Sequence, residues 1–147
     1  MILRLVFLLT LIAATPLLAA DLVPGPVPAR VVRVVDGDTL AVRALIWPGH
    51  EVRVLVRLRG IDAPELRARC DGERAMAMAA SAALAALADD AEIRLHDIQG
   101  DKYFGRVVAD VRLADGRDLG ALMLATALAR PYDGRARASW CAESPQS

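Results

Sequence analysis

The chain has 147 residues, with eighteen basic and eighteen acidic side chains that cancel to a formal net charge of zero. That length holds one domain with a real hydrophobic core. A pI near 6.7 argues against gripping nucleic acid through a broad basic face, so any such partner would have to be held at a local site.

Residues 1–20, MILRLVFLLTLIAATPLLAA, carry Arg4, then an apolar run, then Ala19 and Ala20 as a small-residue exit. This is the layout of a secretory signal peptide, and it implies export to the periplasm or beyond. The run is short for a membrane span and Pro16 interrupts it; an uncleaved signal anchor is the alternative. Residues 21–29, DLVPGPVPA, read as a Pro-rich extended tether. The folded domain is then expected over 30–141, with a short tail at 142–147. In an exported chain the two cysteines, Cys70 and Cys141, suggest one disulfide, with two buried thiols as the alternative.

Residues 30–35 and 39–46 are apolar-rich and joined at Asp36-Gly37-Asp38, followed by a WPGH turn. EVRVLVRLRG then alternates, with Val52, Val54, Val56 and Leu58 on one face and Glu51, Arg53, Arg57 and Arg59 on the other. Residues 71–90 switch to helical spacing, with a seam of Met76, Ala80, Ala83, Leu84 and Leu87, Asp71 as N-cap, and Met76 and Met78 as gap-fillers. Two further strands are expected at 92–97 and 105–113. Asp118 then caps a short helix stopped by Pro131. The order points to an α+β, mainly β domain: a five-stranded OB-type barrel with two packed helices.

Asp36-Gly37 between apolar runs signals a turn. Asp38, with Asp62 and Glu65 around the Ala63-Pro64 bend, can instead converge on one point as an all-oxygen set. Such sets suit Ca²⁺ or Mg²⁺, whereas Zn²⁺ would want the isolated His50 and His96. Arg57, on the outer face of its strand, could form a surface bridge to Glu51 or Glu65. Together with Arg106, which ends the polar loop DKYFGR, it could also clamp a phosphodiester whose charge a cation offsets.

The segments DGDT at 36–39, RLRGIDAPE at 57–65 and DKYFGR at 101–106 resemble the thermonuclease family, the staphylococcal nuclease-like secreted endonucleases. The resemblance implies Asp38, Asp62 and the Ala63 backbone carbonyl as Ca²⁺ ligands, with Asp36 acting through water. It implies Arg57 and Arg106 as phosphate-binding arginines and Glu65 as the carboxylate that orients or activates water. Tyr103 and Tyr132 fall where pocket aromatics contact substrate. The implied reaction is hydrolysis of DNA or RNA to 3′-phosphate products, and nothing in the sequence demands more than a monomer. Ala63 stands for the usual threonine, Phe104 is an extra residue in its loop, and a tail with Arg135, Arg137, Trp140 and Cys141 replaces a third helix. Trp140 reads first as a packing anchor. The main rival is a non-catalytic nucleic-acid-binding module of the same fold. A structural domain tethered by an uncleaved signal gives no reason for Arg57, Glu65 and Arg106 to coincide.

Overall fold

The alternating stretches pair in sequence order and then close on themselves. The computed structural model describes residues 22–141; the expected signal peptide and the 142–147 tail lie outside the described residues. In chain order the elements are β1 (Leu22–Val23), β2 (Val27–Asp36), β3 (Thr39–Trp47), β4 (His50–Leu58), β5 (Ile61–Asp62), α1 (Asp71–Ala88), β6 (Glu92–Gly100), β7 (Arg106–Leu113), α2 (Leu119–Ala125) and β8 (Arg130–Pro131). β2, β3 and β4 form an antiparallel meander. β4 then runs parallel to β7, β7 pairs antiparallel with β6, and β6 returns to β2. Five strands therefore close into a mixed barrel of the OB type, and closure leaves none of them as an open edge.

The expected tether is corrected by this pairing. Leu22 and Val23 pair with Gln99 and Ile98, and residues 27–30 pair with 92–95, so the barrel begins well before Arg30. Pro28 is tolerated because β3 pairing starts only at Ala29, so no β3 partner waits for its missing N–H.

Val31, Leu40, Val42, Val56, Leu58, Leu95 and Val111 fill the barrel interior, each at most 1% exposed. α1 covers one end with Ala77, Ala80, Leu84 and Ala88. Ala80 and Leu84 were expected on its seam, but the buried line turns toward Ala77 and Ala88, because a face of small residues lets the helix approach the barrel closely. Met78, expected as a gap-filler, is exposed. The N-cap is Cys70 rather than Asp71. Asp118 caps α2 as expected, but that helix ends at Thr126, before Pro131, where Ala127 turns to a positive φ of 59°. Among the described residues no helix is long and apolar enough to span a membrane.

Candidate active site

The β2–β3 turn delivers the first acid. β2 carries irregular register between Val34 and Asp36, and Asp36 then pairs with Thr39 across a two-residue turn. Asp36 Oδ1 accepts the Asp38 N–H at 3.0 Å, so Asp36 makes the turn and Asp38 is presented by it. Gly37 is needed for closeness rather than for a positive φ: a Cβ there would meet the Ala80 Cβ at 2.6 Å and the Ala63 Cβ at 2.8 Å. The Leu58 N–H staples the turn to β4 through the Asp38 carbonyl at 2.9 Å.

The Asp38 carboxylate is buried. It accepts from Arg57 Nη1 at 2.7 Å, the Thr39 hydroxyl at 2.9 Å and the Ala63 N–H at 3.1 Å. Burial pushes its pKa up to about 6; the Arg57 charge and the two other donors pull it down, and the Asp36 charge adds to the rise.

Arg57 is corrected from a solvent-facing residue to a buried one, 8% exposed. Alternation placed it outside the barrel, but at that end the β5–β8 pair and the C-terminal segment cover the outer face. Its partners are Asp38, Asp62 at 3.7 Å and the Ile61 carbonyl at 3.2 Å, not Glu51 or Glu65.

Asp62 is 1% exposed and enclosed by residues far along the chain. β5 pairs with β8, setting Asp62 opposite Arg130. Arg130 donates to Asp62 Oδ2 from Nε at 3.2 Å and Nη2 at 3.0 Å, and Trp140 Nε1 donates to the same oxygen at 3.0 Å. Trp140 is thus a ligand of the acid as well as a packing surface, with the Arg130 guanidinium 4.1 Å above its ring. Arg137 Nε lies 2.8 Å from Asp62 Oδ1, yet it is not aligned to donate, and Oδ1 is buried without a hydrogen bond. Arg137 Nη1 donates to Glu65. Burial opposes the Arg137 charge, but the Glu65 hydrogen bond and the Asp62, Glu65 and Asp38 charges outweigh it and raise its pKa.

Glu65 sits on the loop between β5 and α1, and a buried carboxylate holds that loop. Glu73, 7% exposed in the first turn of α1, accepts the Glu65 N–H at 3.4 Å and the Arg69 N–H at 3.1 Å. The Cys70–Cys141 disulfide ties the same loop to the C-terminal segment. Cys70, Glu73 and Cys141 bring three ligand-type atoms within 4.8 Å, but both sulfurs are used in the disulfide, so the trio is no metal site.

In front of the acids opens a cleft of about 1050 Å³, lined by Arg57, Glu65, Tyr103, Arg106, Tyr132 and Arg137 among others. The extra residue in the DKYFGR loop is absorbed outward: Phe104 projects fully into solvent, while the Asp101 N–H closes the loop on the Arg106 carbonyl at 3.0 Å. Arg106 Nε donates to Asp101 at 2.6 Å and its guanidinium lies 4.6 Å over the Tyr103 ring. Burial works against the Asp101 charge, but the Arg106 hydrogen bond and charge hold its pKa below the usual carboxylate range. Tyr132 lies 5.7 Å from Arg57 and donates its hydroxyl to the Arg135 carbonyl.

Arg57, Glu65, Tyr103, Arg106 and Tyr132 therefore line one cleft, Asp38 and Asp62 lie behind it on Arg57, and Asp36 joins them only through the Asp38 N–H. Arg130, Arg137 and Glu73 were not anticipated as part of it. Only Glu73 left a local signal, an acid three residues after a capping position. The donor set is all oxygen, the kind a hard divalent cation takes, and Asp62 Oδ1 is a buried acceptor without a hydrogen bond, although the Arg57 and Arg137 guanidiniums now stand against it.

No curated protein matches the chain closely enough to be named as a relative. The family model described as staphylococcal nuclease homologue matches residues 55–143. That stretch takes in Arg57, Asp62, Glu65, Arg106 and Tyr132 and stops short of Asp36 and Asp38, which β2–β3 pairing brings to the same place. With more than half its length matched, and on the closed barrel with two helices described above, the chain belongs to the staphylococcal nuclease homologue family.

Proposed function

We propose that this protein is an exported, Ca²⁺-dependent phosphodiesterase that hydrolyses DNA or RNA to 3′-phosphate products. The observation that carries the reading is the shared cleft: Arg57, Arg106 and Glu65 are among the residues that line it, and Asp38 and Asp62 are buried behind Arg57. Asp38, Asp62 and the Ala63 carbonyl would hold Ca²⁺, with Asp36 reaching through water, and the bound ion supplies positive charge to the phosphate.

Arg57 and Arg106 present guanidinium N–H pairs to the non-bridging phosphate oxygens and stabilise charge as it builds. Arg57 is held rigidly by its carboxylate partners, so it pays little reorganisation on binding. Glu65 orients a water and accepts its proton. The water oxygen bonds to phosphorus as the bond to the 5′ oxygen breaks, and that oxygen takes a proton from solvent in the cleft to leave as a 5′-hydroxyl, while Glu65 returns the proton it accepted to solvent. Tyr103 and Tyr132 flank the cleft, where an aromatic face can stack on a base. The disulfide supports an oxidising destination, in keeping with export.

Replacing Arg106 by Ala tests the assignment of the cleft. Single-stranded DNA and RNA turnover should fall by about 10²–10³ while the melting profile stays cooperative. Near-normal turnover would remove Arg106 from the site.

A further inference from the structure

Asp62 divides its two oxygens between different tasks. Oδ2 is saturated by Arg130 and Trp140, which fix the side chain. Oδ1 receives no aligned hydrogen bond and faces the Arg137 guanidinium at 2.8 Å, with Arg57 next at 3.7 Å. The same Arg137 guanidinium reaches Glu65 with Nη1. One cation from the C-terminal segment thus covers both the oxygen best suited to a metal and the carboxylate best placed to handle water.

Arg137 approaches the buried Asp62 from the open side of the cleft, its own side chain still partly in solvent. The Arg137 and Glu65 side chains are 37% and 48% exposed, so their pairing is solvent-screened and weak, unlike the Arg57–Asp38 pair behind it. Arg137 lies four residues before Cys141, and Glu65 five before Cys70, so the disulfide keeps the two ends together. A tethered group acts at a high effective concentration that a free chain end would not reach. Two cations cannot share one carboxylate oxygen without strong mutual repulsion.

We propose that Arg137 is a tethered competitor of the divalent cation: it holds Asp62 Oδ1 and Glu65, the cation displaces it, and the Cys70–Cys141 disulfide sets how strongly it competes. This rests on the Ca²⁺ reading given under the proposed function.

Calorimetric Ca²⁺ titration of the exported, oxidised chain tests it without any substrate. Arg137→Gln should bind Ca²⁺ about fivefold more tightly than the wild type, the upper scale of one solvent-screened ion pair removed from competition. Arg137→Lys, which keeps the charge, should stay nearer the wild type, and Asp62→Asn should lose binding. Opening the disulfide with a reductant should move the wild type toward Arg137→Gln, with a cooperative melt showing that the barrel persists. Equal or weaker binding by Arg137→Gln, alongside measurable binding by the wild type, would overturn the competition. A reduced, folded chain that binds like the oxidised one would overturn the role of the tether. No Ca²⁺ binding by any variant would instead remove the metal reading, and this proposal with it.

Discussion

Arg57 and Arg106 resemble a matched pair of phosphate ligands, yet the structure gives them very different debts to the fold. Arg57 is 8% exposed and neutralises Asp38, whose own exposure is 3%. Arg57→Ala would leave Asp38 with only the Thr39 hydroxyl and the Ala63 N–H, beside the unfavourable charge of Asp36, and would strip a donor from the Ile61 carbonyl. Leaving one member of a buried pair uncompensated costs about 3–5 kcal/mol. Asp62 retains Arg130 and Arg137, so the loss centres on Asp38. Arg106 instead pairs with Asp101 on a part-buried loop, where Asp101 keeps the Lys102 N–H when the arginine is removed, so the loss should be about 1.5–3 kcal/mol, that of one charged hydrogen bond. The assay is urea unfolding of both variants, oxidised and in chelator, at pH 8 and pH 5. The wild-type Asp38 already has a pKa of about 6 and would rise further without Arg57, so protonation relieves the variant at low pH. The Arg57→Ala penalty should therefore shrink markedly at pH 5. Equal losses for the two variants, or a penalty independent of pH, would refute the account of Arg57 as the buried counter-charge.

Other expectations follow from the same contacts. In chelator, Asp38 favours the folded state below its unfolded pKa of about 4, and that contribution is lost as pH rises through its folded value of about 6. The stability difference between wild type and Asp38→Asn should change over that interval, and a flat difference across pH 4–7 would contradict the raised pKa. Gly37→Ala drives a methyl against Ala63 and Ala80, and overpacking of that kind costs about 1–3 kcal/mol in a thermal melt. The double variant Cys70→Ser with Cys141→Ser should lose about 4 kcal/mol in urea unfolding, because the bridge closes a long loop in the denatured chain; an unchanged midpoint would argue against that contribution.

The meander, the two helices and the closing strands were legible because period-two and helical spacing are local properties of the chain, and Asp36-Gly37 marks its turn in place. The start of the barrel was not. Pro24, Pro26 and Pro28 read as a tether, and only pairing with β6, more than sixty residues on, makes that stretch a strand. Alternation placed Arg57 outside the barrel but could not tell open solvent from a cleft wall. The cage around Asp62 was less legible still, since Arg130 and Trp140 lie 68 and 78 residues away. The cysteine pair was the one sequence feature that tied the tail to the Glu65 loop. Phe104 is the opposite case: expected from the resemblance to be an extra residue in its loop, it projects into solvent, and Arg106 two residues on lines the cleft.

The most direct test of the central claim is an end-group analysis of single-stranded DNA and RNA incubated with the oxidised protein, first in Ca²⁺ and then in excess chelator, with Glu65→Gln alongside. Cleavage that requires Ca²⁺, leaves 3′-phosphate ends and disappears in Glu65→Gln is the predicted result. Binding without cleavage under every divalent cation tried would contradict it and leave a barrel that holds nucleic acid without cutting it.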